Sequence, residues 1–251
     1  MGETTVGRSQ YVFDAGPDKA TEVILKNANA AFVERYLAAQ ARSLPLLAEL
    51  ERAGFKVNKP SDLIQAGPLA LPALEILKKW LVKPGSTGDE TEVLQVLAQP
   101  WARKYTFDFL VSAYRNLGQS AVDNAKQTQG AIGAVLVDLA GEEHFPLILK
   151  LASHSEHGPG RSMLLRSLGK FRKHKDELVP ILLDALGASL WEAGGAIHAL
   201  GELRATETRD QIAMVSAGES DWLAEEIKKC LKKFDTAEAR ASQRSASAAR
   251  D

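Results

Sequence analysis

Leu165-Arg166-Ser167-Leu168-Gly169-Lys170-Phe171 and Ala196-Ile197-His198-Ala199-Leu200-Gly201-Glu202-Leu203-Arg204 decide the fold. Each spaces its apolar residues for one face of a helix, and each carries a Leu-Gly pair at its end. Leu139-Ala140 stands in the same place upstream, and Leu231-Lys232 downstream. The four leucines step by 29, 32 and 31 residues, the spacing of a helical repeat. A second marker runs independently: an apolar residue, Pro, then small or apolar residues. It occurs as Leu44-Pro45-Leu46-Leu47, Leu71-Pro72-Ala73-Leu74, Phe145-Pro146-Leu147-Ile148 and Val179-Pro180-Ile181-Leu182. Its prolines are 27, 74 and 34 apart, the middle gap being about two repeats with one Pro lost.

Both markers fit a unit of two helices. Pro is tolerated in a first helical turn, where its missing N–H has no partner to lose, so the Pro cluster marks the start of a second helix. Gly or a short residue after the final Leu lets the first helix stop and the chain reverse. Ser43, Ser61-Asp62, Asp89 with Glu92, and Ser120 with Asp123 fall where helix caps are needed. Another apolar stripe runs from Ile24 to Ala39. Breaks are expected at Gly54, Gly67-Pro68, Pro84-Gly85, Gly118, Gly158-Pro159-Gly160, Gly187 and Gly218. No stretch alternates apolar and polar residues between hairpin turns, so no sheet is expected.

Composition narrows the function. In 251 residues, 45% are hydrophobic and 25% charged, ordinary for a globular protein, and the 6% aromatic content with abundant Ala and Leu favours helices. A net charge of −1 argues against a dedicated nucleic-acid binder, which normally carries a basic excess. The single cysteine, Cys230, excludes an internal disulfide framework. The polar N-terminus lacks a signal-peptide core and no apolar run has the length of a membrane span, so a cytoplasmic protein without membrane contact is expected.

Residues 129–215, with Ala131-Ile132-Gly133-Ala134-Val135-Leu136 and the two stretches quoted first, resemble bacterial short HEAT repeats of the PBS-lyase type. The resemblance implies an all-α fold, a right-handed α-solenoid of about five to six antiparallel helix pairs whose second helices line a concave binding face. The expected organisation is a flexible arm over 1–17, a solenoid over 18–235 and a disordered tail over 236–251. The repeats are degenerate over 18–118 and regular over 119–235. Tyr11-Val12-Phe13 is expected to dock on the first helix. The expected second helices are 44–53, 70–82, 106–117, 143–153, 175–186 and 206–216. The last segment, from Ser220, reads as a capping helix with Trp222, Leu223, Ile227, Cys230, Leu231 and Phe234 inward, and Glu225, Glu226, Lys228, Lys229 and Lys232 outward.

No phosphate loop, nucleophile elbow or paired catalytic carboxylate occurs, so no enzyme and no cofactor are expected. Cys230 reads as a buried structural thiol. His154 and His157, with Glu156, are the densest potential metal ligands but fall in an inter-repeat loop, so no metal is assigned. HEAT-like metalloenzymes resembling deoxyhypusine hydroxylase carry His-Glu pairs; Glu143-His144 and Glu156-His157 here run in reverse. His198, four residues before Glu202, is expected to hydrogen-bond locally. Trp80, Trp191 and Trp222 read as core or inter-repeat wedges, with Trp191 placed for partial exposure at a rim.

The expected function is a scaffold or adaptor that binds another protein, with a toxin-neutralising immunity protein as one specific form by analogy with such repeats. Its partner-binding candidates are Lys78, Lys79, Trp101, Arg103, Arg115, Lys150, Asp184 and Trp191. The alternative is a nucleic-acid-binding or DNA-base-repair HEAT-like protein, using Trp101, Arg103 and Lys104 for stacking and phosphate contact.

Overall fold

The computed structural model describes residues 11–12, 41, 43–83, 90–118, 123–154 and 159–248. Their regular structure is helical apart from one short parallel pairing, Tyr11–Val12 (β1) against Phe55–Lys56 (β2). The chain divides into two compact units, Met1–Ala113 and Tyr114–Asp251. Among the described residues no helix is long and apolar enough to cross a membrane.

In the first unit a helix over residues 43–52 (α1) buries Leu46 and Leu50 and stops at Gly54, whose φ of +95° suits a residue without a Cβ. The chain then forms β2, which pairs in parallel with Tyr11–Val12. A 3₁₀ turn at Pro60–Asp62 follows, closed by the Asp62 carboxylate, which accepts from the Asn58 and Lys59 amides. Helices α2 (Leu63–Ala66), α3 (Leu74–Leu81), α4 (Glu90–Leu97) and α5 (Arg103–Gly118) complete the unit, α5 running on past its boundary. Pro68 and Pro72 sit in the 3₁₀ stretch Gly67–Ala73 that leads into α3. Two carboxylates tie residues about one repeat apart. Glu49 accepts from Lys79 Nζ at 2.9 Å and Trp80 Nε1 at 2.8 Å, and Glu92 accepts from Ser61 Oγ at 2.9 Å. The bond from Lys79, then that from Trp80, holds the Glu49 carboxyl below the usual carboxylate range.

The second unit holds α6 (Asp123–Leu139), α7 (Phe145–Ser153), α8 (Pro159–Ser167), α9 (Lys175–Ala185), α10 (Leu190–Leu203), α11 (Arg209–Ala213) and α12 (Asp221–Ala248). Its most extensive contacts skip one helix at a time: α6 packs on α8, α8 on α10, and α10 on α12. Helices α7, α9 and α11 are each led in by a 3₁₀ turn, at Glu142–His144, Arg172–His174 and Thr206–Thr208. Ile132, Leu136, Leu164, Leu165, Leu168, Ile197, Leu200 and Phe234 fill the layer with no side-chain surface left to water. Polar links follow the same spacing. Lys170 Nζ donates to the carbonyls of Ala140, at 2.8 Å, and Val137, which the end of α6 leaves without helical partners. Lys233 Nζ meets Glu202 at 2.7 Å, 31 residues away.

Several expectations change. Pro146 is the second residue of α7, as an initiating Pro should be, but Pro180 lies inside α9. The turn at Arg172–His174 starts that helix early, and Pro180 is exposed, so only a solvent-side bond is lost. Residues 236–248, expected as a disordered tail, continue α12; their Ala, Arg and Gln are good helix formers. Glycines serve as notches as well as breaks. Gly54 and Gly67 have positive φ at helix ends and Gly218 in the turn between α11 and α12, whereas Gly133, Gly194, Gly195 and Gly201 lie within helices. The Ile24–Ala39 stripe, the Asp89 and Ser120 caps, Phe13 and His157 lie outside the described residues.

The tightest notch against backbone is Gly195 on α10, where a Cβ would overlap the Ser162 carbonyl oxygen of α8. Gly→Ala in a helix ordinarily stabilises by up to about 1 kcal/mol. Gly195→Ala is expected to destabilise by about 1–3 kcal/mol, because backbone cannot yield as a flexible side chain does. Gly130→Ala, whose Cβ would meet nothing nearer than 3.9 Å, is expected to stabilise. Urea unfolding of both variants checks the contrast.

Candidate functional site

Helix α10 begins with a capping box that the sequence reading did not single out. The Glu192 amide donates to Ser189 Oγ at 3.3 Å, and the Glu192 carboxylate accepts from Ser189 N–H at 3.3 Å and Ser189 Oγ at 2.8 Å. Glu192 is buried, and its other oxygen lies 3.0 Å from Arg161 Nη1 on α8; both side chains are less than a tenth exposed. Arg161 Nε also donates to the Ala152 carbonyl at 2.6 Å. With Glu192 pulled inward, the two residues before it face out: Leu190 is 52% and Trp191 60% exposed.

Trp222, near the start of α12, lies over Gly194, where a Cβ would strike the indole. Its ring and that of Trp191 are 5.0 Å apart at 41°, an offset aromatic pair. Beside them is a cleft of about 360 Å³ lined by Leu186, Leu190, Ala193, Met214, Val215 and Leu223, with Gly187, Ala188, Gln211 and Ser216. Met214 is 82% exposed. None of these lining residues titrates, so the cleft offers apolar contact and no acid–base chemistry.

The eight sequence candidates divide between the units. Lys78 is mostly covered, 2.7 Å from Glu75 and with its ammonium over the Phe109 ring, and exposed Lys79 is held by Glu49. Trp101 and Arg103 are half-buried where α5 begins. Arg115, Lys150 and Asp184 are exposed on α5, α7 and α9, and among the described residues no hydrogen bond or ion pair joins them. Trp191 alone belongs to an exposed apolar cluster. Trp222 was expected inward, but Gly194 seats its ring at the surface, 39% exposed. The signals that mark this site, the Ser189–Glu192 box and the glycine pair Gly194-Gly195, were legible; the burial of Glu192 was not.

The other titratable groups have structural duties. Cys230 is buried against Gly201, and burial pushes its thiol up to about 12. His154 is exposed, and among the described residues no three His, Cys, Asp or Glu side chains gather as metal ligands. Glu226, expected to face water, is buried: its Oε2 lies 3.3 Å from Arg166 Nη1 and 3.1 Å from His198 Nδ1. His198 thus pairs across to α12, while Glu202 goes to Lys233 and Arg172. Trp80, expected in the core, is buried.

No protein-family model matches the chain, and neither a curated protein nor a solved structure matches it.

Burial, then the Arg166 charge, lowers the His198 pKa from its ordinary 6.5, outweighing Glu226 and aided by Lys233. Between the folded and unfolded values the unfolded chain binds the extra proton, so this stability is present above 6.5 and is lost as pH falls through the lower, folded value. Stability of the natural chain is expected to drop more steeply between about pH 7 and 5 than that of His198→Gln. Denaturant midpoints measured across that range check it; parallel curves would remove His198 from the linkage.

Proposed function

We propose that the chain is a non-enzymatic, protein-binding scaffold of HEAT-like repeats, a right-handed solenoid of five to six helix pairs. Its partner docks on the edge formed by Leu190, Trp191, Met214 and Trp222. The observation that carries this reading is the clustering of apolar surface. Of eight large hydrophobic side chains exposed among the described residues, these four fall between 190 and 222. Two of them contact each other, and the other two line one cleft. Isolated exposed hydrophobics are ordinary, whereas a cluster with two indoles is what binding hot spots are made of. Skip-one packing of α6, α8, α10 and α12, at the leucine-marker spacing, supports the repeat architecture.

The residues first chosen for a concave face support it less well. Lys78 and Lys79 already have carboxylate partners in the chain. Of Trp101, Arg103 and Lys104, on which the nucleic-acid alternative rests, the first two are half-buried and only Lys104 is exposed.

Affinity capture from the native cell tests the reading with three baits: the natural chain, Trp191→Ala/Met214→Asp, and Lys78→Glu/Lys79→Glu. The first double variant is expected to lose the captured protein, with hot-spot losses of about 2 kcal/mol per residue, and the second to keep it. Circular dichroism establishes that both fold. Retention by Trp191→Ala/Met214→Asp would refute the surface, and recovery of nucleic acid in place of protein would refute the function.

A further inference from the structure

A second cleft, of about 420 Å³, lies at the other end of α10 and has the opposite character. It is lined by Arg172, Arg204, Lys229, Lys232, Lys233 and Arg240, with Gly201, Thr236 and one carboxylate, Glu202. Helix α12 carries five acidic and six basic residues. Three of its carboxylates are occupied away from the cleft: Glu226 by Arg166 and His198, and Asp235 and Glu238 by Arg209, at 2.8 and 3.0 Å. Glu202 is met by Lys233 and, at 3.5 Å, by Arg172. Lys229 reaches Glu226 only at 3.8 Å and stays more than half exposed. Arg204, Lys232 and Arg240 are exposed and have no carboxylate partner among the described residues. Holding so many like charges around one cleft costs Coulomb energy, which an anionic ligand would relieve.

Geometry narrows the anion. Lys229, Lys232, Lys233, Thr236 and Arg240 follow one face of α12, and eleven residues of helix span about 16 Å. An extended peptide of about five residues has that length, and its alternate side chains, about 6.6 Å apart, fall near the spacing of successive helical turns. No aromatic side chain lines the cleft, so it has no platform for a nucleic-acid base. We infer that this cleft binds an extended acidic segment of a partner protein, one carrying Asp or Glu at alternate positions. The inference rests on the protein-binding reading for its ligand class, but it concerns residues separate from the aromatic edge.

The test is fluorescence anisotropy of the full chain at low ionic strength. The probes are a labelled ten-residue peptide of alternating Glu and Ser, its Gln-for-Glu counterpart, and an oligothymidylate of equal charge. The Glu peptide is expected to bind, and to weaken at least about tenfold both on raising the salt and in Lys232→Glu/Arg240→Glu. Lys232→Gln/Arg240→Gln, which only neutralises, is expected to weaken it less, and the Gln peptide not to bind. Trp191→Ala/Met214→Asp is expected to bind the Glu peptide as the natural chain does. Peptide binding in that variant, with partner capture unaffected by it, would therefore refute the aromatic edge alone. Absence of Glu-peptide binding, equal binding by the charge-reversed variant, or tighter binding of the oligothymidylate would overturn the inference, the last assigning the cleft to a polyphosphate.

Discussion

Helices α8 and α10 meet so closely that the backbone of one rests on the other, with Gly195 over the Ser162 carbonyl. At that separation the side chains flanking the notch have no water to turn to. Arg161 and Glu192, less than a tenth exposed, must satisfy each other. Neither helix of such a pair buries its apolar stripe alone, so the approach of alternate helices is what makes the second unit a folded layer. The same geometry recurs with different chemistry: Gly133 faces Tyr114 and the Gly160 carbonyl, Gly194 faces Trp222, and Gly201 faces Cys230.

Both surfaces follow from that approach. The Arg161–Glu192 pair draws Glu192 inward at the start of α10, which leaves Leu190 and Trp191 outside, and Gly194 gives Trp222 its seat beside them. At the end of α10, burial of Glu226 under Arg166 and His198 takes a carboxylate away from the lysine face of α12. One end of the layer is therefore left apolar and the other basic, although the chain as a whole is nearly neutral.

The spacing of the alternate helices was legible because it is written in local terms. Leu139, Leu168 and Leu200 mark the alternate helices, and Pro146 opens α7 as a first-turn proline should. What sequence did not disclose depends on partners that only the folded chain brings together. Glu226 reads as a surface residue on a helical wheel, and only Arg166 and His198, 60 and 28 positions upstream, explain its burial. Trp222 reads as core until Gly194 is seen beneath it. Lys78 and Lys79 read as available until Glu75 and Glu49 are placed against them. Pro180 reads as a helix start because its tolerance inside α9 depends on solvent exposure, which local pattern does not carry.

The register of alternate helices is tested most directly by a double-mutant cycle of Arg161→Met and Glu192→Gln, read by denaturant unfolding. Each single variant leaves one buried charge without its counter-charge, and a coupling of about 1–3 kcal/mol is expected between two residues 31 apart in sequence. Additivity within about 0.5 kcal/mol would mean that Arg161 and Glu192 do not meet, and the skip-one packing of α8 on α10 would be contradicted.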